Sequence, residues 1–514
     1  MFSRRGGICS GIVVAAILLL LQGPACPKEF PIADNPDQPT YYDSEISIGA
    51  AFGGTNYLVG IQESFRPRAN CSGEVNPGNS RNIDAQLVSP TGALVGPRIK
   101  TGGNGGPPLV AFDGRNYLMV WEEDAQYSTH IYGRFVSTGG TLVGPQFTVG
   151  TGTDMNFGLN SILFDGANFF AVWQDRSTAG NDGTGVIFGQ FITPSGELLG
   201  TRIQVSNAPH GQKEPTLAFD GTNILVAWVD GRYRNACYTD SHCAETDIFA
   251  QFVRKSSAAS AGTLYGYNFL VSNSPWPRDN PITAAFDDTN YFIAFTQETT
   301  LPNACPASGC KWNAYGQIVT RGGARIGSQI TISATAPNHF NANVIWLGSQ
   351  YLVTWTEDFE GFAATIKGRY FGQSGAPLGD EFTLFSKSSN GTVPELAIPL
   401  RADVSNYFTV VTRGSPGKSV ECSADVGVYG AFINAAAYET GSLKVTITPE
   451  GAVAAGAKWS YDGGRTWHAS GTISLPVGSY TVTFKKIPGW TAPASKKVTI
   501  QNGKTTTVEG VYVK

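Results

Sequence analysis

The sequence contains few of the residues from which metal and redox sites are built. It has five histidines and three methionines among 514 residues, and no two histidines stand close enough in sequence to form a zinc-ligand pair. The histidines are His130, His210, His242, His339 and His468. The Cys-x-x-Cys-His motif, the Gly-x-Ser-x-Gly elbow, the Walker loop and the dinucleotide fingerprint are all missing. We therefore expect no metal, no cofactor and no catalytic residue of these kinds.

Charge is also sparse. Charged residues make up 15% of the chain and the formal net charge is -4. No basic stripe or basic patch interleaved with aromatic residues is visible, so no nucleic acid is expected as a partner. After the N-terminal segment, no apolar run approaches the roughly 20 residues that span a bilayer. Any contact with a membrane is therefore expected to depend on a lipid anchor.

Residues 1–26 have the features of an export signal. Arg4 and Arg5 form a basic start, an apolar stretch runs from Ile12 to Leu21, and small residues precede Cys26. Cleavage after Ala25 would give a soluble exported protein, whereas acylation of Cys26 would give a lipoprotein. Both alternatives predict a cell-surface or periplasmic location, and the second adds attachment to the outer membrane.

Glycine and proline are abundant, with 62 and 29 copies, which favours many short strands joined by tight turns. One phrase recurs in seven copies, for example AFDGRNYLMVW from Ala111 and AFDGTNILVAW from Ala218. A second phrase, such as IYGRFVSTGGTLVG from Ile131, follows each copy after an insertion of variable length. The first phrase is anchored at Asn56, Asn116, Asn168, Asn223, Asn290, Gln350 and Asn406.

Each repeat is expected to hold four antiparallel strands, with Asp-Gly and Ser-Pro-x-Gly at the hairpin turns. Seven such repeats predict an all-β fold, a seven-bladed β-propeller over residues 27–440. The pattern resembles that of secreted bacterial propeller repeat proteins. The seventh repeat lacks a fourth strand, and Glu29 to Asp34 matches the last-strand pattern. The N-terminus is therefore predicted to complete the last blade and close the ring.

Residues 441–514 change to strict alternation and predict a small antiparallel β-sandwich. Pro449-Glu450-Gly451-Ala452, the run Val477 to Val482, and Gly489-Trp490 resemble the PEGA-type domain of bacterial envelope proteins. The resemblance implies a noncatalytic spacer or adhesion module. Ser460 to Trp467 also fits the Asp box of sialidase-like propellers, but such boxes stabilise turns, so no sialidase activity is expected from it.

Residues that recur at one place in several repeats are best explained by the scaffold. The aspartates of the Asp-Gly turns are expected to cap those turns, and the tryptophans of the second strands to pack between blades. The turn aspartates are Asp113, Asp165, Asp220 and Asp287, and the tryptophans are Trp121, Trp173, Trp228 and Trp355. For the acids that follow the tryptophans, a scaffold role is favoured over an active-site ring. These acids are Asp124, Asp175, Asp230 and Asp358.

Ligand binding is expected on the face that carries the connections from second to third strands, because variable loops on a rigid scaffold usually hold binding sites. The long insertions run over residues 63–81, 232–246, 298–312 and 413–427. The candidate contacts on this face are Arg232, Tyr233, Trp276 and Trp312.

Three functions remain open at this stage. The first is an exported binding or adhesion protein that recognises a glycan or an envelope protein. The second is a propeller glycoside hydrolase or polysaccharide lyase, which would need two carboxylates about 5 to 10 Å apart at the central channel. The third is a purely structural envelope component.

Cysteines of an exported protein should pair. Cys237 with Cys243 and Cys305 with Cys310 would each close a short loop within one insertion. Cys71 and Cys422 lie far apart in sequence, but a closed seven-bladed ring makes their blades neighbours. Pairing these six leaves Cys26 free for lipid.

Overall fold

The computed structural model describes residues 29–33, 41–46, 49–67, 81–125, 128–152, 157–175, 185–232, 246–272, 279–298, 311–333, 338–357, 365–385, 395–401, 406–414, 426–434, 440–461, 467–476, 478–501 and 503–514. Two short strands precede the repeats: β1 (Glu29–Ala33) and β2 (Tyr41–Ile46). No helix among these residues is long and apolar enough to cross a membrane.

Four consecutive strands form each of the first six blades, as predicted. Blade 1 comprises β3 (Ala50–Phe52), β4 (Tyr57–Pro67), β5 (Arg81–Val88) and β6 (Leu94–Asn104). Blade 2 comprises β7 (Leu109–Phe112), β8 (Asn116–Ala125), β9 (Ser128–Ser137) and β10 (Leu142–Gly152). Blade 3 comprises β11 (Phe157–Phe164), β12 (Phe169–Asp175), β13 (Val186–Ile192) and β14 (Leu198–Gln204). Blade 4 comprises β15 (Gln212–Phe219), β16 (Asn223–Asp230), β17 (Asp247–Arg254) and β18 (Leu264–Ser272).

The remaining blades follow the same order. Blade 5 comprises β19 (Asp279–Phe286), β20 (Asn290–Glu298), β21 (Trp312–Thr320) and β22 (Arg325–Ser333). Blade 6 comprises β23 (His339–Trp346), β24 (Tyr351–Glu357), β25 (Thr365–Phe371) and β26 (Pro377–Phe385). Blade 7 takes three strands from its own repeat: β27 (Glu395–Arg401), β28 (Asn406–Gly414) and β29 (Val426–Asn434).

The seven blades form a closed ring. The first strand of each blade contacts the first strand of the next, and β27 of blade 7 contacts β3 of blade 1. A cluster of buried apolar side chains fills each of the seven seams between blades. The recurring tryptophans Trp121, Trp173, Trp228 and Trp355 are each at most 1% exposed and lie in four of these clusters. Their predicted role in blade packing is therefore confirmed, and the all-β seven-bladed propeller is the fold of this part of the chain.

The predicted ring closure is also confirmed. Strand β1 pairs antiparallel with β29, so that Phe30 lies opposite Gly430 and Pro31 opposite Tyr429. The Phe30 ring stacks on Phe408 and Phe432, with centroid distances of 6.2 and 5.8 Å. It also reaches blade 1, where a Cβ placed on Gly92 would lie 2.8 Å from the Phe30 ring. Pro31 is tolerated because β1 is an outermost strand with one unpaired edge.

Strand β2 is an addition that the repeat pattern does not predict. It pairs antiparallel with β4, from Tyr41 opposite Pro67 to Ile46 opposite Gln62. On its other side, Ser44 pairs in parallel with Val426 at the start of β29. Strand β2 therefore joins blades 7 and 1 into one continuous sheet. It adds a second strand pairing at the closure, beside the pairing of β1 with β29.

The turn aspartates cap their turns as predicted. In Asp113, Asp165, Asp220 and Asp287, Oδ1 accepts hydrogen bonds from the backbone N–H groups two and three residues later, at 2.6 to 2.9 Å. Blade 1 has Gly53 at this place. There the hydroxyl of Tyr117 from blade 2 occupies the space that an aspartate would need, since a Cβ on Gly53 would lie 2.1 Å from it. Tyr117 donates its hydrogen bond to the carbonyl oxygen of Asn56 at 2.6 Å and so links blades 1 and 2.

Replacing Tyr117 by Phe should change how stability depends on alkaline pH. Burial raises the pKa of Tyr117 to about 12 from 10.0. A raised pKa in the folded state gives stability that is complete below pH 10 and is lost as pH rises toward 12, because the unfolded chain ionises first. The loss from this one group is on the order of 2 kcal/mol. Thermal melts at pH 8 to 12 should therefore fall less steeply for Tyr117→Phe than for the unaltered chain, and parallel curves would refute the assignment.

The C-terminal module consists of two three-stranded sheets and one short helix. Its elements are β30 (Thr440–Thr448), α1 (Glu450–Ala454), β31 (Trp459–Ser460), β32 (Gly471–Pro476), β33 (Gly478–Phe484), β34 (Lys496–Ile500) and β35 (Thr505–Val511). The sheet orders are β32-β30-β35 and β31-β33-β34, packed around the buried Trp459. The sandwich is not wholly antiparallel, because β30 and β35 pair in parallel from Ser442 to Thr448. The Asp-box segment falls mostly outside the described residues.

Candidate functional site: the top face of the propeller

The top face is the end of the ring where second strands end and third strands begin. All four long insertions leave from it: residues 68–80 join β4 to β5, 231–246 join β16 to β17, 299–311 join β20 to β21, and 415–425 join β28 to β29. Blades 7 and 1 are neighbours, and so are blades 4 and 5. The four insertions therefore come in two adjacent pairs on roughly opposite sides of the ring, and the ten-residue connection of blade 3, residues 176–185, lies next to one pair.

In blades 1 to 6 a polar residue recurs at the top of the second strand. It stands two positions after the place that the recurring tryptophan occupies in four of these blades. The strand pairing shows that this residue is Glu123 in blade 2 and Glu357 in blade 6, so Asp124 and Asp358 are each one position too far for the recurring place. The equivalent residues in blades 1, 3, 4 and 5 are Glu63, Asp175, Asp230 and Gln297. The sequence comparison missed this alignment because it matched only aspartates.

These acids are bound to cations of their own blade. Glu63 lies 3.1 Å from Arg98 and 3.3 Å from Lys100. Asp175, fully buried, lies 2.8 Å from Arg202, whose guanidinium sits over the Phe188 ring at 4.1 Å. In blade 5 a neutral pair replaces the ion pair, because Gln329 donates to the side chain of Gln297 at 3.1 Å. The repetition in different blades supports the scaffold role expected for Asp175 and Asp230.

Arg232, a predicted ligand contact, is held firmly at the start of its loop. Its Nε and Nη2 donate to the two carboxylate oxygens of Asp230 at 2.9 and 2.7 Å, and its guanidinium lies 3.6 Å above the centre of the Phe249 ring. Asp230 also accepts a hydrogen bond from Nε1 of Trp228 at 2.7 Å. The side chain of Arg232 is 17% exposed, so one part of it still faces solvent at the base of the insertion.

Trp312, the second described candidate, opens strand β21 beside another insertion. It is 9% exposed. Its backbone N–H donates to Oδ1 of Asn338 at 3.0 Å, and its ring lies 5.9 Å from that of Phe340 in blade 6. Trp312 therefore anchors the seam between blades 5 and 6. The other two candidates, Tyr233 and Trp276, lie outside the described residues, as do the seven cysteines proposed for disulfides and lipidation.

One polar cluster on this face contains a histidine, where blade 4 has Gln212 hydrogen-bonded to Ser206 in the equivalent places. Nε2 of the buried His339 lies 3.2 Å from Oγ of Ser333 and 3.7 Å from the carboxylate of Glu357. Burial by itself raises the pKa of Glu357, but the hydrogen bond from His339 and the Lys367 ammonium at 3.6 Å outweigh burial and lower that pKa. A serine and a carboxylate on the same ring nitrogen do not make a nucleophilic triad, in which the base uses both nitrogens. This cluster fixes the start of β23.

The channel is lined by the first strands. Among the described side chains of these seven strands, Glu214 is the one carboxylate, and it pairs with Lys213 at 3.3 Å. Glu214 has a φ of 54° and lies where the pairing of β15 with β16 shifts register. Within the described residues no group of three or more His, Cys, Asp or Glu residues is placed to hold a metal ion.

Comparisons with known proteins find some solved structures of low similarity but no matching family and no curated relative. No protein-family model and no curated protein matches the chain. An α-L-arabinofuranosidase of Fusarium graminearum, solved with an iminosugar inhibitor, is 9% identical over 80% of this chain and 99% of its own, with a TM-score of 0.39. A polysaccharide lyase is 10% identical over 73% and 88%, with a TM-score of 0.40. A subtype N11 neuraminidase-like protein from a flat-faced bat isolate is 10% identical over 64% and 86%, with a TM-score of 0.37. Likeness at this level assigns no function to the chain.

Proposed function

We propose that the protein is an exported binding protein that recognises a carbohydrate chain on the top face of its propeller. The observation that carries the proposal is the placement of all four long insertions at one end of a closed ring, in two adjacent pairs. The strand ends that carry these insertions lie on opposite sides of the ring, so an extended ligand could contact both pairs at once. The tight turns at the other end leave little chain to contact a ligand.

The bases of the insertions are rigid. Arg232 is bound to Asp230 and stacked on Phe249, and Trp312 is fixed between blades 5 and 6. Rigid attachment lowers the entropy lost when a loop closes on a ligand. Tyr233 follows Arg232 directly, and Trp276 lies in the connection that leads into blade 5. Aromatic side chains next to such loop bases are suited to stacking on the flat faces of sugar rings.

Binding is favoured over hydrolysis by the chemistry of the described channel. Glycoside hydrolysis uses two converging carboxylates about 5 to 10 Å apart. Among the described side chains of the first strands there is one carboxylate, that of Glu214, and the Lys213 ammonium lies 3.3 Å from it. The recurring acids at the top of the second strands are likewise held by Arg98, Arg202 and Arg232. We assign these acids and arginines to the scaffold and ligand recognition to the loops.

A glycan and polysaccharide screen, scored for both binding and product release, tests the proposal. We expect binding to one carbohydrate class without release of product. Product release would favour the hydrolase or lyase alternative. Failure of every carbohydrate, with capture of an envelope protein instead, would assign the top face to a protein partner.

Shortening residues 233–245 to a Gly-Ser linker should weaken carbohydrate binding at least about tenfold, because it removes one of the proposed contact loops while Arg232 and its contacts stay in place. The linker also removes Cys237 and Cys243, so the melting temperature should match that of Cys237→Ser with Cys243→Ser. Glu197→Ala, an exposed residue of a turn at the opposite end, is the matched control and should bind normally. A larger loss of binding from Glu197→Ala than from the shortened loop would show that the ligand binds at the opposite end of the ring.

A further inference from the structure

The C-terminal module has a charge opposite to that of the rest of the chain. Residues 441–514 contain eight lysines and one arginine against three acidic residues, a formal charge of +6, which leaves -10 on the remainder. All eight lysines are exposed. The net charge of -4 for the whole chain conceals this separation.

Several of these lysines meet at one end of the module. The backbone N–H of Lys485 donates to the carbonyl of Lys458 at 2.9 Å, and Lys486 follows directly. The hydroxyl of Tyr512 donates to the carbonyl of Lys485 at 2.7 Å and so brings the C-terminal residues to the same place. The ammonium of Lys514 lies 6.0 Å from the centre of the Trp490 ring. None of these four lysines pairs with a carboxylate among the described residues.

Apolar side chains lie among the lysines. Ile487 and Trp490 bridge a tight hairpin, and Thr491 pairs with Val513 through two backbone hydrogen bonds of 2.7 and 3.2 Å. Val513 is 62% exposed and Val511 is 52% exposed. We call this surface the basic end, and it comprises Lys458, Lys485, Lys486, Trp490, Val513 and Lys514.

We propose that the basic end docks on an anionic lipid bilayer. Lysines at an anionic leaflet each strengthen binding about fivefold, and their apolar stems can lie along the surface while the ammonium groups reach the phosphates. Tryptophan is enriched at the membrane interface, and exposed valines gain from contact with the acyl boundary. A dissolved polyanion would satisfy the lysines but would leave the valines in water. The combination of charge and exposed apolar side chains therefore fits a bilayer best.

This docking is separate from carbohydrate binding on the propeller. It rests on a different module, and its failure would leave the top-face proposal intact. It also does not depend on whether Cys26 carries lipid. It supplies an electrostatic contact that a lipid anchor or a soluble exported chain could each use.

Sedimentation of the full chain with phosphatidylglycerol–phosphatidylcholine vesicles, at about 30 mol% anionic lipid, tests the proposal. We expect binding that weakens as salt is raised from about 0.05 to 0.5 M. Lys485→Glu with Lys486→Glu should reduce binding at least about tenfold. Lys444→Glu with Lys504→Glu, which reverses two exposed lysines outside the basic end, is the matched control and should stay within about twofold of the unaltered chain. The apolar N-terminal stretch is common to all variants and cancels in the comparison.

Val513→Ser separates a bilayer from other polyanions, because it removes the apolar side chain without changing the charge. It should weaken vesicle binding but leave binding to soluble dextran sulfate unchanged. Equal loss in the two double variants, or vesicle binding that is insensitive to Val513→Ser, would overturn the proposal, and the latter result would point to a soluble polyanion. If Lys485→Glu with Lys486→Glu lowers the melting temperature, Lys458→Glu with Lys514→Glu provides the same charge change at the same end.

Discussion

Deletion of residues 27–36 should lower the melting temperature by roughly 5 °C, which corresponds to about 4 kcal/mol of unfolding free energy. The deletion removes β1, exposes the edge of β29, and takes Phe30 from its place against Phe408, Phe432 and Gly92. It thus removes one of the two strands that join blades 7 and 1, while β2 stays in place. Differential scanning calorimetry of the two chains gives the measurement.

Two substitutions within β1 locate the source of this effect. Phe30→Ala should reproduce a large part of the loss, because the ring packs on both blade 7 and blade 1. Pro31→Ala is the control, since Pro31 is exposed on the outer edge, and it should leave the melting temperature unchanged. A deletion variant that melts like the unaltered chain would show that β1 does not close the ring.

Loss of the proposed Cys71–Cys422 disulfide should cost about 4 to 5 kcal/mol, because the bridge would span most of the propeller. Both cysteines lie outside the described residues, so the pairing remains a prediction. The strand ends nearest to the two cysteines support the pairing. Ser44 of β2 pairs with Val426 on one side and with Ser64 on the other. With strands about 4.8 Å apart, the two flanks run about 10 Å from each other.

The positions of the cysteines on these flanks are symmetric. Cys71 is four residues beyond Pro67, the end of β4, and Cys422 is four residues before Val426, the start of β29. Peptide mapping under non-reducing conditions should find them linked, and Cys71→Ser with Cys422→Ser should melt well below the unaltered chain. Cys237→Ser with Cys243→Ser is the control and should cost about 2 kcal/mol, because its loop is short. Free thiols at Cys71 and Cys422 in a chain recovered from an oxidising compartment would contradict the pairing.

The parts of the fold that repeat could be predicted from the sequence. A phrase such as Phe-Asp-Gly-x-Asn fixes a turn by local hydrogen bonds, as Asp220 shows, and seven copies determine the number of blades. The incomplete last repeat and the strand-like Phe30 were enough to predict closure. Strand β2 was not predicted, because its place depends on two chain segments, β4 and β29, that meet only after the ring has closed.

The site was harder to predict because its residues are identified by register rather than by type. Glu123 and Glu357 take the place that Asp175 and Asp230 occupy, and a search for aspartate alone passes over them. The ion pair of Arg232 with Asp230 also lies beyond sequence reasoning, since it needs Phe249 of the next strand to support the guanidinium. The charge of the C-terminal module was visible in the sequence, but averaging over the whole chain hid it.

Hydrogen–deuterium exchange of the full chain, with and without the carbohydrate that the screen identifies, tests most directly the claim that the top-face loops bind the ligand. We predict that the ligand slows exchange in peptides covering residues 233–245 and 299–310 and leaves the Asp-Gly turns at the opposite end unchanged. Protection confined to those turns, around Asp113 or Asp220, or to residues 441–514, would contradict it.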